Sequence, residues 1–262
     1  MGRYFLESMP IAGAYLCIVL LILAACEAGI LIGRHHHRAR KDEGALTSVG
    51  PMVGGLLGML AFVLAFTFSM AATHYGARKQ DVLIEANYVG TAWLRADLVG
   101  DARGPQIKRL LGEYVDVRLG AARPGGDVQA AVKRSLEIHD LLWTQASSAA
   151  LESPGHNAAL VVESINDVID MHQRRYTDAV RARIPGTIWL GLMAITVLTM
   201  GTLGLQVGLS GKRRRVGIVP IALAFAVLAT LVLDLNRPQG GFITVSQQPM
   251  LDLQAEIHGA AK

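Results

Sequence analysis

Four groups of polar side chains in this sequence have the types or spacing that chemistry would need. Glu27 is the only Asp, Glu, Lys or Arg in four long apolar segments. A carboxylate in hydrocarbon either marks an ion or proton path or snorkels toward a charged partner, and Arg34, about two turns on, lies roughly on its face. The run His35-His36-His37 gathers three metal-binding side chains. On a helix they point in different directions, however, and Arg34, Arg38, Arg40 and Lys41 beside them oppose a divalent cation. Those basic residues are better suited to hold the loop against anionic lipid. Asn87, Thr91 and Arg95 recur every four residues, and with Glu85 and Asp97 this line could hydrogen-bond across a bundle to Asn166 or Asp170 as a structural polar network. Asp234 and Arg237 stand one turn apart before Pro238, which stops the helix. This pair is expected to fix the following tail against soluble helices near Glu85 or Arg95.

None of these groups is a catalytic set. The sequence holds no nucleophile elbow, no zinc spacing and no phosphate-binding glycine loop, so neither an enzyme nor a bound metal or cofactor is expected. Cys17 and Cys26 are the only cysteines, and both fall in one apolar segment, where a disulfide would staple nothing soluble. The net charge of +4 is concentrated in short loops, so it bears on membrane orientation rather than on nucleic acid.

The elements that must carry these residues follow from where the apolar residues lie. The chain is 52% hydrophobic with a mean hydropathy of +0.36, and the excess is unevenly spread. Residues 10–33, 51–73, 184–209 and 216–233 are each long enough to cross a bilayer. The charged stretch 74–183 between the second and third reads as soluble helices, and 234–262 as a tail. The expected fold is therefore an all-α membrane protein of four transmembrane helices with a soluble helical bundle inserted between the second and third. The first segment is too long for a signal peptide and is read as a retained span.

Residues 51–99 organise this plan, because no second proline interrupts them and one helix could run from the bilayer into the bundle over about 70 Å at roughly 1.5 Å per residue. In its apolar half Gly54, Gly58, Ala61, Ala65, Ser69 and Ala72 form a small-residue stripe suited to close helix contact. Phe62, Phe66 and Met70 form a bulky line beside it, facing lipid, a neighbouring helix, or a shared axis where they would act as a hydrophobic constriction. In the insert, Val82, Ala86, Val89 and Trp93 give one apolar stripe, and Ile107, Leu110, Leu111, Tyr114 and Leu119 a second. Val128, Val132, Leu136, Leu141 and Leu142 suggest a third, and Val161, Ile165, Val168, His172, Tyr176 and Val180 a fourth. His172 reads as a hydrogen-bonded core histidine. Breaks are expected at Gly104-Pro105, Pro124-Gly125-Gly126 and Ser153-Pro154-Gly155. Gly201, Gly204, Gly208 and Gly211 make another close-packing face, and the run Phe242 to Ser246 reads as extended.

The motif EANYVGTAWLRADL at 85–98 and the tail DLNRPQGGFITVSQQPMLDL at 234–253 resemble a bacterial family of uncharacterised proteins called bestrophin-like, and the order of spans agrees. The resemblance implies a distant likeness to bestrophins, pentameric anion channels with four spans per subunit and an apolar neck on the second. Phe62, Phe66 and Met70 match that neck's spacing. The acidic cluster of a bestrophin calcium clasp has no counterpart, since only Asp234 precedes Asp252, and Asn236 stands where the family usually has an acidic residue. The implied protein is a homo-oligomeric channel for an inorganic anion in a bacterial inner membrane, with the lipid bilayer as its other partner. The alternative is a non-conducting membrane sensor or scaffold. Short basic loops stay cytoplasmic, which would leave the insert periplasmic. In bestrophins the corresponding region is cytosolic.

Overall fold

The computed structural model describes residues 9–39, 44–100, 102–180, 183–210, 217–237 and 241–260. The basic residues Arg40 and Lys41, the run Lys212 to Arg215 and Gly211 lie outside them. The described residues are helical, without strands. The helices are α1 (Ile11–Ala39), α2 (Gly44–Arg95), α3 (Arg103–Ala122), α4 (Val128–Glu152), α5 (His156–Val180), α6 (Gly186–Leu209), α7 (Ile218–Asn236) and α8 (Gln248–Ala260), with a 3-10 turn at Ala96–Leu98 after α2. α1, α2, α6 and α7 contain stretches long and apolar enough to cross a membrane. The chain divides into two compact units, one of residues 1–75 with 183–244 and the other of residues 76–182 with 245–262.

In the first unit α1 lies along α6 and also touches α7. Glycines permit the α1–α6 approach. A Cβ on Gly33 would come within 2.5 Å of the Leu205 carbonyl oxygen, and one on Gly208 within 2.5 Å of that of Ile30. Gly29 and Gly204 meet the Gly201 and Cys26 carbonyls more closely still. Large side chains fill the space either side, with Ile18, Ile22, Ile30, Leu60 and Leu192 fully buried. Pro185 opens α6, and Pro220 falls in the first turn of α7, where its missing N–H is no loss.

α2 begins before Pro51 and runs through it. Nor does it end with the apolar stretch at Thr73; it continues to Arg95, so one helix belongs to both units. In the first unit α2 is held by a narrow stripe of Val53, Leu60, Leu64, Thr67 and Ala71. Only 17% of its apolar stretch is buried, against 50% of that of α7, so most of this surface is left to lipid or to another chain.

In the second unit α3 packs on α4, α4 on α5, and α8 on α3, with the 3-10 turn against α3 and α5. The Gly104-Pro105 pair opens α3 rather than breaking a helix, since proline suits a first turn. Asp127 caps α4 by accepting a hydrogen bond from Ala130 N at 3.0 Å. The apolar stripe expected on α4 is rotated. Val128, Leu136 and Leu141 are exposed, and the buried face is Ala131, Ser135, Ile138, His139, Leu142, Ala146 and Ala149. A face of small residues lets neighbouring helices come close, and side-chain size misleads the phase there. The tail is shared: residues 234–244 belong to the first unit, while α8 brings Met250, Leu253 and Ile257 into the core of the second. Phe242 to Ser246 forms coil, not a strand.

Candidate functional site

Glu85 sits on the buried face of α2 between Val82 and Val89 and has no exposure to solvent. Such a carboxylate must be paired, and two guanidinium groups meet it. Arg175 of α5 donates through Nη1 to Oε2, and Arg118 of α3 brings Nε within 3.2 Å of Oε1 as an ion pair short of hydrogen-bond geometry. Tyr114 of α3 donates its hydroxyl proton to Oε1 at 2.5 Å. With that proton committed, the Tyr114 oxygen can only accept from His172 Nδ1, 3.2 Å away on α5, which fixes the proton on Nδ1. His139 of α4 completes the cluster, its ring 5.1 Å from that of Tyr114 and 4.8 Å from that of His172.

Burial sets the charge state of each member. It pushes the Tyr114 hydroxyl up to about 12. Burial first and the Arg118 charge second push His139 down to about 4 and His172 down to about 3, so both rings are neutral at pH 7. Burial brings Arg175 down to about 10, which leaves it charged. In this cluster Tyr114, His139, His172 and Arg175 all titrate well away from neutrality. It is therefore a clamp rather than an acid-base device, with one ionised carboxylate on α2 held by groups from α3 and α5 and shielded by α4.

The other residues singled out from the sequence are not in this cluster. Asn87 is exposed on α2. Arg95 donates to the Leu160 carbonyl at 3.0 Å and lies 3.6 Å from Glu163 Oε2. Asp97 meets Lys108, and Asn166 meets Asp170 within α5. Asp234 and Arg237 belong to the first unit, Glu85 and Arg95 to the second. The buried Asp234 carboxylate accepts from Phe242 N and Ile243 N, each at 2.9 Å, and so folds the start of the tail back on the end of α7. Gly241 is required there because a side chain would meet the Asp234 carboxylate. Asn236 is fully buried and its Oδ1 accepts from Ile184 N at 3.0 Å, an acceptor role a carboxylate would fill equally. Phe62 and Phe66 are 73% and 60% exposed, while Met70 packs partly into the core of the first unit. The small-residue stripe from Gly54 to Ser69 is exposed with them, and nothing lies within 4 Å of where a Cβ on Gly54 or Gly58 would be.

Sequence reading missed Tyr114, Arg118, His139 and Arg175 as polar partners. Tyr114 was hidden in an apolar stripe, and the available signal was Glu85 itself, an acid at a core position of α2 that demanded cations from facing helices. Among the described residues, no three His, Cys, Asp or Glu side chains are grouped to hold a metal. A family model described as a Bestrophin-like domain matches residues 19–250. No curated protein and no solved structure matches the chain.

Proposed function

We propose, because this chain belongs to the Bestrophin-like family, that this membrane protein assembles as a homo-oligomer around one axis and conducts an inorganic anion, with no enzymatic activity of its own. The observation that carries this reading is the uncovered surface of α2. Phe62 and Phe66 stand out from it with the exposed stripe of Gly54, Gly58, Ala61, Ala65 and Ser69, a combination that lets copies of α2 approach one another and present bulky apolar rings to a shared axis. Met70 lies at the edge of this line and would narrow the same passage.

The division of the chain supports four crossings. Residues 76–182 and 245–262 share one compact unit, so an even number of crossings must separate them, as α6 and α7 would provide. The soluble bundle is then the insert between the second and third spans, completed by α8. Arg34 and Arg38 near the end of α1 with Arg40 and Lys41 just after it in sequence, and the run Lys212 to Arg215 between α6 and α7, put basic residues beside the ends of the apolar helices, which favours a periplasmic bundle in a bacterial inner membrane. Impermeant thiol labelling of a Ser147→Cys variant in intact cells tests the side, with protection meaning the reverse orientation.

A non-conducting sensor is the second reading, and the polar groups of α2 favour it. Thr67 is buried with its hydroxyl turned to the Val63 carbonyl at 2.7 Å, and Thr73 turns to that of Ser69, so little polar lining is left for an ion. Anion flux in reconstituted liposomes separates the two. Replacing Phe62, Phe66 and Met70 together by alanine should raise flux at matched incorporation and oligomer size; equal flux removes this line from the pore, and no flux from either protein favours the sensor.

A further inference from the structure

We propose that Asp81 and Asp178 form a proton-binding site in the second unit, one proton bridging the two carboxyl groups and tying α2 to α5. Asp81 lies one turn before Glu85 and is 1% exposed. Neither of its oxygens accepts a hydrogen bond from an N–H or O–H group among the described residues. The Asp178 side chain is within hydrogen-bonding reach of it. Two carboxylates this close cannot both stay ionised without a cation between them, and a shared proton turns repulsion into a hydrogen bond.

The surrounding charges decide whether the proton stays. On α5, Arg174 brings Nε to 3.1 Å from Asp81 Oδ1, but its side chain is 56% exposed and its charge is screened by water. Arg175 is spent on Glu85, as is Arg118 of α3. Arg78 and Glu85 lie one turn to either side on α2, both buried and of opposite sign. Desolvation is the largest influence and the Asp178 carboxyl the next, and together they outweigh the two arginines of α5, pushing Asp81 up to about 6. The same cations disfavour a metal ion in this place. Asp81 lies beyond Thr73, where the apolar stretch of α2 ends, so it titrates with the aqueous phase. The site does not depend on whether the chain conducts.

A folded-state affinity raised above the ordinary carboxylate value stabilises the fold below about pH 4, and this contribution is lost as pH rises through about 6. His139 and His172 act with the opposite sign over much of that window. The informative quantity is therefore a difference between variants. The full chain in lipid nanodiscs should show, between about pH 5 and about pH 7.5, the infrared C=O band of a buried carboxylic acid disappearing with a midpoint near 6. In Asp178→Asn, whose amide donates to Asp81 without a like charge, the midpoint should fall by about one unit or more, a tenfold loss of proton affinity. In Asp81→Asn the band should be absent. A band that survives Asp81→Asn, or an unmoved midpoint in Asp178→Asn, overturns the proposal. Should Asp81→Asn fail to fold, Asp178→Asn decides alone.

Discussion

Glu85 is a residue whose neighbours would suffer more from its loss than it contributes alone. Truncation to alanine strands the Arg118 and Arg175 guanidinium groups in a site where their side chains are 15% exposed. The expected loss is about 3 to 5 kcal/mol, read by denaturant unfolding of the chain in detergent. Tyr114→Phe removes one charge-assisted hydrogen bond and should cost about 1.5 to 3 kcal/mol, leaving the ion pairs in place. His139 and His172 are held neutral with folded-state values of about 4 and about 3 against an ordinary 6.5. Their contribution is present above 6.5 and lost as pH falls toward 4, so histidine-to-glutamine variants should flatten the acid limb of a melting profile. Single residues of this kind were half legible in the sequence. Glu85 and Arg95 stood out by charge, and His172 was correctly taken for a hydrogen-bonded core residue. Asp178 and Arg174 were not legible as neighbours of Asp81, because nothing in one helix reveals which residue will face it from another.

At the scale of elements, glycine placement separates two kinds of helix surface. Gly29 and Gly204 sit where a neighbouring carbonyl leaves no room for a methyl group, so alanine at either should separate α1 from α6 and lower the melting temperature of the monomer. Gly54 and Gly58 have open space around them, so leucine at both should leave monomer stability nearly unchanged and reduce oligomer size on native mass measurement. An unchanged oligomer would leave this stripe to lipid. The spans were legible because a bilayer demands long apolar runs of a kind soluble domains rarely contain. The phase of α4 was not, since Ala131, Ser135 and Ala146 carry its core face while Leu136 and Leu141 are exposed. Nor was α8, whose Pro249 sits in its first turn and whose start follows a run that reads as extended.

For the molecule as a whole, α2 belongs to both units without a break, and Glu85 fastens its second half to α3 and α5. Glu85 is thus a buried ionic joint between the second half of α2 and helices α3 and α5, and under the proposed channel function weakening that joint should alter flux before it unfolds the apolar helices. Glu85→Gln, which keeps the shape and removes the charge, tests this by comparing flux with the melting temperature of each unit followed separately. The tail carries a different consequence. α8 leaves the ribosome after all four apolar helices, yet Met250 and Ile257 belong to the same core as Tyr114 and Leu142. The core of the second unit therefore stays incomplete until the chain beyond α7 has been made. During biogenesis the core of the second unit thus keeps an open seam where Met250, Leu253 and Ile257 will sit, exposed to chaperones and proteases until α8 has emerged from the ribosome and docked.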